Sequence, residues 1–109
     1  MTTVEYLKHA IEAKDVSATL YWLFYRAFYA VKEQLKVTTN NNTSSHYETE
    51  TLGIKALLDM NYIDDNDAQT YRQVRQMFLL SEYGGKSFQW NEIVPYISAV
   101  DILCSKLPS

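Results

Sequence analysis

The chain of 109 residues, 47% of them apolar, suffices for one hydrophobic core and is too short for two, so residues 1–109 read as a single domain. Three glycines and two prolines are poor material for a turn-rich β-sandwich or barrel, and one cysteine, Cys104, excludes an internal disulfide framework. A formal charge of -3 argues against a stand-alone protein that holds DNA by neutralising phosphates, while leaving room for a local basic site.

Apolar residues recur at helical spacing through most of the chain, and no segment alternates at period two for long. The first helix is expected over about 3–13, with Val4, Leu7, Ala10 and Ile11 on one side and Thr2 or Thr3 as its cap. Glu5, Lys8, His9 and Glu12 break any apolar run there, so this stretch does not read as a secretory leader.

The second helix, about 17–36, is the most strongly patterned, with Asp15 or Ser17 at its start. Leu20, Leu23, Phe24, Ala27, Val31 and Leu35 form a broad apolar stripe, and Trp22, Arg26, Tyr29 and Glu33 form a second one beside it. A helix apolar over so much of its circumference belongs at the centre of a bundle. Its most apolar part, residues 20–31, contains Arg26 and is too short to span a bilayer. The domain is therefore expected to be cytoplasmic, with no membrane association.

Residues 38–45 are all Thr, Asn or Ser and read as a loop, because such side chains compete for backbone hydrogen bonds. Ser45 and Glu48 then fit a capping box for a third helix reaching about Met60, with Tyr47, Thr51, Ile54, Leu57 and Leu58 as its buried stripe. Gly53 inside it marks a close helix crossing. A fourth helix runs from the acids at 64–67 to about Glu82, with Ala68, Tyr71, Val74, Phe78 and Ser81 on one face widened by Met77, and Gly84 and Gly85 stopping it. The last helix starts near Asn91, so Pro95 falls in its first turn, and carries a face from Trp90 and Ile93 to Cys104 and Leu107. The expected fold is all-α: an up-and-down four-helix bundle with a short additional N-terminal helix.

The chemistry-bearing residues are few. Two histidines and one cysteine without ligand spacing give no metal site, and the acidic run at 59–67 lacks the central Gly and closing Glu of a calcium loop. No Gly-rich strand-to-helix turn cradles a phosphate, and no cofactor is expected. Cys104 reads as a small buried hydrophobe. Arg26 interrupts an apolar helix and needs a partner. It either pairs with a carboxylate of another helix, such as Glu48, Glu50 or Glu82, or offers its guanidinium to phosphate or RNA. Nine tyrosines are many for this length, and Tyr21, Tyr25 and Tyr29 stand four apart, as a core or interface strip does. His46 is either an exposed helix-start residue or an acid–base group.

Three segments together resemble small stand-alone prokaryotic proteins of the HEPN-domain superfamily: Arg26-Ala27-Phe28-Tyr29-Ala30 in the second helix, Ser45-His46 before the third, and Glu82-Tyr83-Gly84 after the fourth. The resemblance covers nearly the whole chain. It implies an antiparallel four-helix bundle that dimerises and pairs with a nucleotidyltransferase-like partner in toxin–antitoxin modules. Catalytic members cut RNA through an Arg followed four to six residues later by His, and here no His follows Arg72 or Arg75. In the resembled branch an Arg stands five residues before the Tyr, a place held here by Phe78. The expectation is a non-catalytic binding or regulatory subunit and a homodimer, using Tyr25, Arg26, Tyr29, Glu82 and Tyr83 as its interface. The alternative is a metal-independent RNA-cleaving toxin, with Arg26 stabilising the charged transition state, His46 moving protons and Tyr83 or Glu82 supporting, in a site completed by dimerisation.

Overall fold

Thr2 opens the first helix. Its hydroxyl accepts the Glu5 amide at 3.2 Å, and Glu5 Oε1 accepts the Thr2 amide at 3.3 Å, a reciprocal cap that starts α1 at Thr3–Glu12. The helix closes through Lys14, whose φ of 52° places it in the left-handed region usually given to glycine. In this turn the Asp15 amide donates to Ala10 O and the Lys14 amide to Ile11 O, both at 3.0 Å. Asp15 then caps the next helix by accepting the Ala18 amide at 3.0 Å, and α2 runs over Val16–Thr39.

The computed structural model describes residues 1–39 and 46–108, and for 37–39 the backbone alone. The helix α2 continues past its expected end into Thr38 and Thr39. Each threonine costs a helix only a fraction of a kcal/mol, roughly 0.7 at most, too little to stop one already propagating. The expected Ser45 cap lies outside the described residues.

The third helix, α3, has three consecutive parts: His46–Glu48, a π-helical turn at Thr49–Gly53, and Ile54–Asp59. The wider turn corrects the expected buried stripe. A π turn closes i→i+5 bonds and advances less around the axis per residue. Tyr47 and Thr51, expected inside, are therefore exposed, and Thr49 and Gly53 are buried instead. Ile54 and Leu57, beyond the turn, are buried as their spacing predicts. Gly53 abuts α2 so closely that a Cβ there would stand 2.7 Å from Val31 Cγ1.

Asn61, with φ of 62°, ends α3 in the same way as Lys14 ends α1. Asp64 and Asp67 then form a reciprocal cap at 2.9 and 3.0 Å for α4, Asp65–Glu82. Lys106 Nζ reaches Asp67 at 2.8 Å and Asp64 at 3.6 Å, fastening the end of the last helix to the start of α4. That helix, α5, spans Trp90–Ser105. It begins earlier than expected, because Glu92 Oε1 accepts the Gln89 amide at 3.0 Å. Pro95 is therefore in the second turn rather than the first, and the bond its N–H would have given to Asn91 O is missing.

Among the described residues all regular structure is helical. The helix α2 packs against each of the other four. All six residues of its expected apolar stripe are buried, joined by Phe28 and Thr19. Phe24 stacks on Phe78 of α4 at 4.7 Å, and Ile54, Leu57, Tyr71, Val74, Val100 and Leu103 close the core around them. No helix among the described residues is long and apolar enough to cross a membrane.

Candidate functional site

Tyrosines four apart on a helix lie nearly above one another, and on α2 their rings form a ladder. Tyr21 and Tyr25 have centroids 4.7 Å apart, and Tyr25 and Tyr29 5.6 Å. Tyr25 also meets Phe78 edge-on at 5.7 Å, and Phe78 meets Tyr83, just past the end of α4, at 6.3 Å. The ladder thus emerges from the core toward Tyr29 (50% exposed) and Tyr83 (79% exposed). The Tyr25 phenol is held above its ordinary value first by burial, then by the negative charge available to Tyr21, Tyr29, Tyr83 and Glu82. Four of the expected interface residues, Tyr25, Tyr29, Glu82 and Tyr83, accordingly share one neighbourhood.

His46 joins them from α3. Its ring packs edge-on against Phe28 at 4.6 Å, Phe24 at 5.1 Å and Tyr25 at 5.8 Å. Burial lowers its pKa below 6.5, and the cations of Arg75 and Lys32 lower it further. At neutral pH the imidazole is uncharged, suited to packing and to accepting a proton. The aromatic neighbourhood is thus edged by Lys32 and Arg75 near His46 and by Glu82 near Tyr25.

Arg26 is placed elsewhere. It stands two residues from both Phe24 and Phe28, so it leaves α2 about 160° away from the rings that hold His46. Its Nη2 pairs with Asp101 Oδ1 of α5 at 2.9 Å. The partner is thus an acid of α5 and not Glu48, Glu50 or Glu82; Glu50 pairs with Arg75 of α4 and Glu82 lies with Tyr25. Within one chain, then, Arg26 and His46 are not brought together. Beside Arg26 a cleft of about 640 Å³ opens between α1 and α5, lined by Val4, Leu7, Ile11, Val94 and Ile97.

The arginine that does approach His46 is Arg75. Its Nη1 bonds Glu50 Oε2 at 3.0 Å, and Arg72 Nε stands 3.8 Å from Glu50 Oε1. Glu50 belongs to the π turn, four residues after His46 and four before Ile54. In the wider turn residues four apart fall close to one line, which carries all three toward α2 and α4. Residues four apart share a face in a regular α-helix as well, so the step from Ile54 back to Glu50 was legible in the spacing, whereas its pairing with Arg75 was not. The available signal was the pair of basic residues, Arg72 and Arg75, three apart on α4.

Cys104 is partly buried, and burial raises its thiol pKa, so it is a poor nucleophile. Among the described residues no three His, Cys, Asp or Glu side chains cluster to hold a metal ion. No protein-family model, curated protein or solved structure matches the chain.

Proposed function

We propose that the chain is a HEPN-like, non-catalytic binding or regulatory subunit. Its helices form an up-and-down four-helix bundle with α1 as the extra element. It dimerises through the aromatic side of α2 and serves a nucleotidyltransferase-like partner. The observation that carries this is the gathering of Tyr25, Tyr29, His46, Glu82 and Tyr83 around the aromatic side of α2, with Arg26, three residues before Tyr29 and tied to Asp101 of α5, at its border. Tyrosines that expose a polar tip above a packed ring suit an interface formed from a folded surface. The patch also carries both signs of charge, Glu82 against Lys32 and Arg75. A two-fold contact brings the same surface from two copies together, so such a patch can complement itself. The lack of a His after Arg72 or Arg75 counts against the cleaving alternative.

Sedimentation equilibrium tests the dimer. The wild type is expected at twice the monomer mass, and Tyr29→Ala with Tyr83→Ala, both exposed and so tolerable to folding, at the monomer mass. A monomeric wild type that also fails to co-purify with a co-expressed nucleotidyltransferase-like protein would refute the proposal. So would RNA cleavage that is lost on His46→Ala.

A further inference from the structure

We propose that Arg72, Arg75 and Tyr71 of α4 form a binding site for a phosphate group, closed in this structure by the carboxylate of Glu50. The proposal concerns the junction of α3 and α4 and does not depend on the aromatic interface.

The physical case is a mismatch between donors and acceptors. The two oxygens of Glu50 are divided between two guanidiniums: Oε2 lies 3.0 Å from Arg75 Nη1 and Oε1 lies 3.8 Å from Arg72 Nε. The longer of these is beyond hydrogen-bonding distance. Two further donors beside them have no partner at all. Tyr71 is fully buried and its hydroxyl makes no hydrogen bond, and the Nε of Arg75 is likewise inaccessible and unmatched. These donors stand four residues apart on one face of α4, and the Tyr71 phenol feels the charges of both Glu50 and Arg75. Each buried donor left unmet costs about 1–3 kcal/mol, so this is an unfavourable arrangement to keep with a carboxylate alone.

A phosphate group suits the same donors better. It offers three terminal oxygens and about two negative charges near neutral pH, where a carboxylate offers two oxygens and one charge. One oxygen can take Arg72, and two can take the Nε and Nη of Arg75 as a fork, with Tyr71 donating to either. The local charge favours this too: Arg72 and Arg75 outnumber Glu50, and Lys32 is close enough to depress His46. Arg72 keeps 52% of its side chain exposed, so an anion can meet it from solvent and then contend with Glu50 for Arg75. Glu50 thus competes with the ligand for its own site.

The test titrates inorganic phosphate, and separately adenosine 5′-monophosphate, while following the Nε–H resonances of Arg72 and Arg75 by NMR. Glu50→Gln is nearly isosteric and removes the competing charge, so it should tighten phosphate binding about tenfold or more. Adding Arg75→Gln to that variant should abolish binding. Arg72→Gln, at an exposed position, should weaken binding in the otherwise unaltered chain and serves if Glu50→Gln does not fold. Equal affinity for the two ligands would mean that the phosphate alone is recognised, and a tighter nucleotide that the nucleoside is contacted as well; either supports the site. Binding that Glu50→Gln leaves unchanged or weakens, binding that survives loss of Arg75, or no response of either resonance to either ligand would overturn it.

Discussion

The two sides of α2 solve the same packing problem with different chemistry. On one side, phenylalanine, tyrosine and histidine rings from α2, α3 and α4 stack and meet edge-on from Phe24 at the core to Tyr83 at the surface. On the other, small aliphatic residues of α1 and α5 leave a cleft, and one ion pair, Arg26 with Asp101, bridges its edge. Aromatic rings provide large contact areas and keep polar tips for a partner, so the first side can be both core and interface. The second side combines aliphatic contacts and one stacked pair, Tyr6 on Trp22 at 4.6 Å, with a partly exposed charge pair that contributes little. Substitutions on the two sides should therefore differ in size and in kind.

The largest effect is expected at the root of the ladder. Phe24 is fully buried and touches Phe28, Tyr71, Phe78 and His46, so Phe24→Ala should cost about 3–5 kcal/mol in denaturant unfolding. It should also detach His46, visible as a return of its NMR-titrated pKa toward 6.5 in whatever fraction stays folded. An effect below about 1 kcal/mol would mean that the ladder does not form part of the core. Gly53→Ala should come next. The added methyl group would meet Val31 Cγ1 at 2.7 Å in a buried crossing. Overpacking of this kind costs about 1–3 kcal/mol, of which roughly 1 kcal/mol is returned by the better helix propensity of alanine. A stabilised Gly53→Ala variant would show that the π turn can move away from α2.

Those two residues also mark what could be read from the chain alone. The role of Phe24 was legible, because α2 follows a regular 3.6-residue period and all six residues of its stripe are buried. The crossing at Gly53 was legible too, since a glycine inside a helix needs a reason. The stripe of α3 was not, because periodicity assumes a constant turn and the π segment changes it within five residues. Tyr47 and Thr51 were lost to that change. The proposed interface residues at 25, 29, 82 and 83 share a neighbourhood because α2 and the end of α4 meet there, which local sequence does not specify. The partner of Arg26 was equally hidden, since Asp101 lies 75 residues away along the chain.

A smaller effect, and one confined to the aromatic side, is expected from pH. The folded pKa of His46 is below 6.5 because burial, Arg75 and Lys32 all oppose its protonation. Between that folded value and 6.5 the unfolded chain binds a proton that the folded chain refuses. Its contribution is therefore complete above 6.5 and is lost as pH falls toward the folded value. Thermal unfolding should show a midpoint that declines from neutral pH to about pH 5, and less so in His46→Phe, which keeps the ring. An equal decline in both proteins would assign the acid sensitivity to other groups.

The smallest effect should be on the opposite side of α2, and it sharpens the contrast. Arg26 keeps 23% of its side chain exposed and Asp101 69%, so water already screens much of their attraction. A double-mutant cycle with Arg26→Ala and Asp101→Ala should return a coupling of about 0.2–1 kcal/mol. Arg26→Ala alone should cost more than Asp101→Ala, because its methylenes also cover the apolar cleft beside Leu7 and Ile97. If the pair served only to hold α5 against α2, added salt would reduce the coupling and leave the dimer intact. If Arg26 were instead part of the interface, Arg26→Ala would shift the sedimenting mass as strongly as the Tyr29 and Tyr83 substitutions do. The first outcome is expected, since the Arg26 guanidinium finds its charge partner within its own chain although Tyr29 is its neighbour three residues on.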